Sequence, residues 1–209
     1  MDFVNLASQL NAGTILPEGI VIITFLGVLI VDLILGRSSS RWIGYLAVAG
    51  LLTSLVALYF QWDNANPISF IGAFNGDDLS IVFRGIIALS AAVTILMSIR
   101  YVEQSGTALA EFIAILLTAT LGAMFLSGAN ELVMIFISLE TLSISSYILT
   151  GYTKRDSRSN EAALTYLLIG ASSTAVFLYG VSLLSGFSGG HTQLSAIATG
   201  IDTSNLGHP

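Results

Sequence analysis

The stretch Leu132-Val133-Met134-Ile135-Phe136-Ile137-Ser138-Leu139-Glu140-Thr141-Leu142-Ser143-Ile144-Ser145-Ser146-Tyr147-Ile148-Leu149-Thr150-Gly151-Tyr152 is an apolar run with one carboxylate near its centre. It is long enough to cross the hydrocarbon core of a bilayer, for which a helix needs about 20 residues. Its hydrophobicity is continuous rather than alternating, so a helix, not a barrel strand, satisfies its backbone. Five further runs lie around it, at 20–35, 42–60, 79–99, 112–127 and 162–184. The first extends back to about residue 15 through Pro17, whose missing N–H costs least in a first helical turn. The third extends to 101, and the fourth can start at 108. The expected fold is an all-α membrane protein, a polytopic bundle of six transmembrane helices over 15–35, 42–60, 79–101, 108–127, 132–152 and 162–184. They form a single transmembrane domain, 1–209, with 185–209 as a Gly/Ser/Thr-rich loop or exit segment.

Composition agrees with this reading. Of 209 residues, 54% are apolar and only 10% charged, against about 25% charged in a soluble domain. Mean hydropathy is +0.84. A water-soluble globule and a disordered chain are both excluded. Seven Lys and Arg at net charge −6 leave no basic footprint for a nucleic-acid partner. With no cysteine, the chain has no disulfide, thiolate metal site or cysteine-held iron–sulfur cluster. Its two histidines, His191 and His208, both lie near the C-terminus, which excludes a bis-histidine haem inside the bilayer.

The few charges are segregated. Within the unextended runs, 20–35, 42–60, 79–99, 112–127, 132–152 and 162–184, only Asp32, Arg84 and Glu140 are charged. Arg37, Arg41, Arg100, Lys154, Arg155 and Arg158 fall in the first, third and fifth connections, so six of the seven basic residues share one side. The positive-inside rule makes that side cytoplasmic and puts the N-terminus outside, or in the lumen of an internal membrane system. Residues 1–14 have no basic residue and hence no n-region of a secretory signal, so the first span is expected to be retained. The connection 61–78, with its Asn, Pro, Gly and Asp, reads as turns.

A charge in the hydrocarbon costs about 2.5–3.5 kcal/mol on insertion scales, so each one calls for a reason. Glu140 is the strongest signal, about 12 Å from one end of its helix. Ser143 and Tyr147 share its face, Ser146 lies close by, and Ser138, Thr141 and Ser145 make the helix unusually hydroxylated. Desolvation favours the neutral form of a carboxyl and a nearby cation the charged form, so a group at this depth is suited to load and release a proton. A protonated glutamate that only bridges helices is the alternative.

Asp32, near the end of the first span, is expected to have a structural role, paired with Arg37 or another helix. Arg84, about one turn inside the third span, is expected to snorkel to the headgroups or to pair locally with Asp77 or Asp78. A bundle-facing pair with a buried acid is its alternative. Gly170, Ala171, Ser172, Ser173, Thr174 and Gly180 suggest close helix packing. The glycine-rich piece 186–190 lacks the spacing of a phosphate loop, and His191 reads as solvated. No covalent nucleophile, metal cluster or cofactor motif assembles. The residues themselves lead to a polytopic membrane protein with one midplane carboxylate and proton or cation transport.

Specific motifs carry a resemblance. Pro17-Glu18-Gly19-Ile20 with Val31-Asp32-Leu33, the stretch 132–143 running on to Tyr147, and Ser159-Asn160-Glu161-Ala162-Ala163-Leu164 with Tyr166 and Gly170-Ala171 resemble subunit 2 of proton-pumping NAD(P)H–quinone oxidoreductases. Gly36-Arg37-Ser38-Ser39-Ser40-Arg41-Trp42 and Leu58-Tyr59-Phe60-Gln61-Trp62 look closest to the cyanobacterial and plastid form.

The resemblance implies an antiporter-like membrane subunit taking part in proton translocation coupled to quinone reduction, in a cyanobacterial or plastid thylakoid membrane. It implies no cofactor on this chain, with quinone and iron–sulfur clusters in partner subunits. Other membrane and peripheral subunits, and lipid, would be its partners. The fifth-helix glutamate of the family matches Glu140, and in the family it pairs with a lysine on a broken seventh helix. The family pattern has about fourteen spans, which points to a truncated or split chain, and Thr165 stands where the sixth-helix motif leads one to expect lysine. A stand-alone cation/proton antiporter and a non-conducting scaffold subunit are the competing readings.

Overall fold

The computed structural model describes residues 12–35, 40–62, 68–69, 72–104, 108–153 and 156–203. With no water to bond peptide groups in hydrocarbon, the apolar runs must close their hydrogen bonds within themselves, and they do so as helices. A 3₁₀ turn, Ala12–Ile15, leads into α1 (Leu16–Leu35), followed by α2 (Ser40–Gln61), α3 (Asp78–Gln104), α4 (Leu109–Ser127), α5 (Leu132–Thr150) and α6 (Ser157–Phe187). All six are long and apolar enough to cross a membrane. The last starts ahead of residue 162 because Asp156 caps it, its carboxylate accepting from the Arg158 N–H at 3.0 Å.

The helices α1 to α4 form a bundle, in which α1 packs on α2 and α4, and α3 bridges α2 and α4. Its core is built from Val21 and Val28 of α1, Ile43, Ala47 and Leu51 of α2, Ala88, Ala92 and Ile95 of α3, and Ile113 and Leu117 of α4. Within each helix these residues recur three, four or seven apart, on one face. The opposite faces are equally apolar, with Ile23, Leu33, Tyr59 and Met97 exposed for lipid contact. The fifth helix lies along α4, and α6 packs on α5 with none of its residues fully buried.

Two connections differ from the sequence reading. Within 61–78, Ile68–Ser69 (β1) and Phe74–Asn75 (β2) form an antiparallel hairpin, Ile68 opposite Asn75 and Ser69 opposite Phe74. At the bundle's end, peptide groups without helical partners pair with one another. The hairpin is tied to the α4–α5 turn by Asn75 N–H to Gly128 O (2.7 Å), Asn130 N–H to Ala73 O (2.8 Å) and the Asn130 amide to Gly72 O (3.0 Å).

The segment 185–209, expected as loop, contains a further helix, α7 (Leu194–Thr203). Gly189 and Gly190, at φ of 78° and 92°, reverse the chain in a conformation that side chains resist. Thr192 then donates its hydroxyl to Glu131 Oε1 at 2.6 Å, and the Leu132 N–H donates to Thr192 O at 2.9 Å. Ile197, buried, anchors the helix. Glycine, serine and threonine content concealed this short apolar spacing.

Candidate functional site

Glu140 faces α6. Thr174 donates its hydroxyl to Glu140 Oε1 at 2.7 Å, and the glutamate is half-buried. This contact is the middle of an antiparallel seam. On one side Phe136 stacks on Phe177 with centroids 6.5 Å apart, and on the other Tyr147 meets Tyr166 edge-on at 4.8 Å. Gly170 sits directly against the Tyr147 phenol, where an added Cβ would collide with the ring. Gly170→Leu is therefore expected to displace the Tyr147 ring and loosen the α5–α6 seam, read as a lower thermal unfolding midpoint by fluorescence-detected size-exclusion chromatography.

Most of the hydroxyls along α5 are turned elsewhere. Thr141, Ser145 and Ser146 each donate to the carbonyl four residues back, at 2.8 Å. Bonding of this kind satisfies a hydroxyl within its own helix, so these protons point along the helix rather than at Glu140. Ser143 and Tyr147 lie half-buried on the glutamate's side. Behind Glu140, α4 approaches closely. A Cβ on Gly122 would lie 2.7 Å from the Leu142 nitrogen and 2.9 Å from the Ser138 carbonyl oxygen. Glycine at 122 thus lets α4 touch the backbone of the turn that carries Glu140.

Arg84 does not snorkel. It is fully buried, and its Nη1 donates to Glu18 Oε1 at 3.2 Å and to Thr14 O at 3.1 Å. Its Nε donates to Ser80 O at 3.4 Å, and the Phe74 ring of the hairpin covers the guanidinium with its centroid 5.4 Å away. Asp77 caps α3 instead, accepting from the Ser80 N–H at 2.9 Å. The sequence reading missed Glu18 as a buried charge because it counted charges only from residue 20 of the first run, although the span itself extends back to about residue 15. The available signal was that two charges within membrane helices, one acid and one base, need each other. Glu18 Oε2, Ser80 Oγ and Arg84 Nη2 are buried without a protein partner. A bound water with two to four polar neighbours is the usual solution to such a cluster.

The structure does not gather the other expected residues at Glu140. Asp32 is half-buried on α1, and its expected partner Arg37 lies outside the described residues. Thr165 is exposed on α6. Of the small residues on α6, Gly170 and Thr174 face α5, while Ala171, Ser172 and Ser173 are exposed. Among the described residues, no group of three His, Asp or Glu is placed to hold a metal.

The chain matches two family profiles. One, described as NAD(P)H-quinone oxidoreductase subunit 2 N-terminal, covers residues 4–100; the other, described as NADH:quinone oxidoreductase/Mrp antiporter, TM, covers 129–208. It is 86% identical to an NAD(P)H-quinone oxidoreductase subunit 2 of Nostoc punctiforme over 99% of this chain and 39% of that protein. The corresponding figures for the protein of the same name from Gloeothece citriformis are 74%, 99% and 40%. The chain thus spans about two-fifths of the length of these curated relatives.

Among solved structures, it superposes on a chain of respiratory complex I from Thermus thermophilus with a TM-score of 0.72 and 25% identity, covering 90% of this chain and 42% of that one. A chain of the archaeal membrane-bound sulfane sulfur reductase shares the fold, with a TM-score of 0.79 at 21% identity over 92% of this chain and 40% of that one.

Proposed function

The chain belongs to the NAD(P)H-quinone oxidoreductase subunit 2 family, and from that premise we propose that it forms part of an antiporter-like membrane subunit in which Glu140 carries protons during quinone reduction. The observation that supports this most is the position of Glu140 at midspan, on the α5–α6 seam, with one carboxylate oxygen held by Thr174 at 2.7 Å. A carboxyl so held keeps a fixed place while it binds or gives up a proton, and fixed geometry is what efficient transfer needs. Electron transfer to the quinone belongs to partner subunits that carry the iron–sulfur clusters, and this chain works without a redox centre. The membrane is the cyanobacterial thylakoid, with the N-terminus in the lumen and the Arg41 and Arg100 ends of α2 and α3 in the cytoplasm.

Glu140→Gln keeps the size and the hydrogen bond but removes the titrating proton. In the complete subunit within the assembled complex, it is expected to lower the number of protons moved per electron while assembly persists. Proton uptake by reconstituted vesicles, measured alongside quinone reduction, tests this. A stoichiometry equal to the unsubstituted complex would rule out the role of Glu140.

A further inference from the structure

A helical threonine commonly satisfies its hydroxyl on its own backbone. On each of α1 to α5 one does so: Thr24, Thr53, Thr94, Thr118 and Thr141 donate to the carbonyl four residues back at 2.8 or 2.9 Å. On α6, Ser172 donates to Leu168 O at 2.9 Å and Ser173 to Ile169 O at 3.0 Å. Thr174, the next residue, departs from this pattern. Its hydroxyl crosses to α5 and meets Glu140 Oε1 at 2.7 Å. The carbonyl four residues back from Thr174 is that of Gly170, the acceptor that helical geometry offers its proton. The ring contacts on either side, Phe136 with Phe177 and Tyr147 with Tyr166, hold α5 and α6 in the register that makes the crossing bond.

A hydroxyl has one proton to give and lone pairs to accept with, whereas an ionised carboxylate only accepts and a protonated carboxyl must also donate. A donor-only partner would leave the O–H of the protonated form without an acceptor. We propose that Thr174 is the positioning residue that holds Glu140 in both protonation states, by reversing the sense of its hydrogen bond. With Glu140 ionised, Thr174 donates to Oε1. With Glu140 protonated, the carboxyl O–H donates to Thr174 Oγ1, and the Thr174 proton turns toward Gly170 O. Thr174 keeps its own proton throughout, and the only proton gained or lost is the one on Glu140. This rests on the reading of Glu140 as a proton carrier and adds how one side chain keeps it in place through the cycle. Among the described residues, the charged groups of the helices packed on α5 are distant. On α6 the nearer is Glu161, thirteen residues or about 20 Å before Thr174, with Arg158 beyond it; on α4 it is Glu111, eleven residues or about 16 Å from Gly122. Glu131, at the head of α5, is bonded to Thr192, Tyr147 and Tyr166 meet two turns from the pair, and Tyr179 is exposed.

The test is infrared difference spectroscopy between high and low pH on the assembled complex containing the complete subunit. The Glu140 bands, a carboxylate stretch at high pH and a carboxyl C=O stretch at low pH, are those lost in Glu140→Gln. Thr174→Val keeps the shape of the side chain but removes the hydroxyl, and is expected to shift both bands. Thr174→Ser should return both to their original positions. Thr174→Ala gives the same reading as valine if valine disturbs the seam. A shift of the carboxylate band alone would make Thr174 a donor to the ionised form only and overturns the proposal. So do a shift of the carboxyl band alone, no shift of either, no rescue by serine, or spectra without any Glu140-dependent band. Proton pumping separates this from its premise. Glu140→Gln that pumps normally removes the carrier role whatever the bands do. Glu140→Gln that is impaired beside Thr174→Val that pumps normally leaves the carrier role standing and overturns the need for Thr174.

Discussion

Arg84→Met is expected to destabilise the subunit by about 3–5 kcal/mol, the usual cost of leaving one member of a buried ion pair without its partner. Arg84 and Glu18 are both fully buried, and Arg84 also bonds Thr14 O and lies under Phe74. Removing the guanidinium strands the Glu18 carboxylate among apolar side chains and frees the 3₁₀ turn and the hairpin from the start of α3. Thermal or detergent unfolding of the complete subunit, followed by fluorescence-detected size-exclusion chromatography, should show the loss. The double variant Glu18→Leu, Arg84→Met removes both charges and should recover most of it, because a buried pair owes much of its apparent strength to the penalty for breaking it. Equal stability of Arg84→Met and the unsubstituted chain would mean that the pair does not hold α1 to α3.

Gly122→Val should be the most damaging change at the α4–α5 crossing. Its added Cβ would meet the Leu142 nitrogen at 2.7 Å and the Ser138 carbonyl oxygen at 2.9 Å. Both are backbone atoms, so no rotamer change relieves the clash and the helices must part. Overpacking of this kind costs about 1–3 kcal/mol, sometimes more. The parting also shifts the turn from Ser138 to Leu142, and with it Glu140 relative to Thr174. The expected phenotype is a lower unfolding midpoint and, with Glu140 in the role proposed above, weaker proton pumping at retained quinone reduction in the complete subunit, with Gly122→Ala intermediate. Gly180→Ala is the control, because a methyl there meets nothing within 4 Å. Its stability should be unchanged or slightly raised, since alanine favours helix over glycine. If Gly122→Val matched this control, the close crossing would not matter to the site.

The two kinds of information failed in different places. The apolar runs located the helices, because a bilayer imposes length and excludes charge whatever the neighbours are. They did not reveal which face of each helix is inside. Ala47, Ser54, Ala88 and Ala92 lie in the core while Leu33, Tyr59 and Met97 lie outside, and lipid is as apolar as any core, so hydrophobicity carries no inward direction. The hairpin at 68–75 and the helix at 194–203 were hidden for another reason: each is short and held by long-range bonds, to Gly128, Asn130 and Glu131.

By itself, then, the sequence determined that six helices span a membrane, that Glu140 lies at midspan, and through its motifs which family the chain belongs to. Those features depend on the order of residues along one helix, which the chain writes directly. Only the tertiary structure decided that Arg84 points inward to Glu18, that Thr174 rather than the neighbouring α5 hydroxyls bonds Glu140, and that Gly122 and Gly170 set how closely α4 and α6 approach α5. Those are pairings between residues far apart in the chain, and in an apolar solvent what selects them is fit and charge compensation between helices, not hydrophobicity.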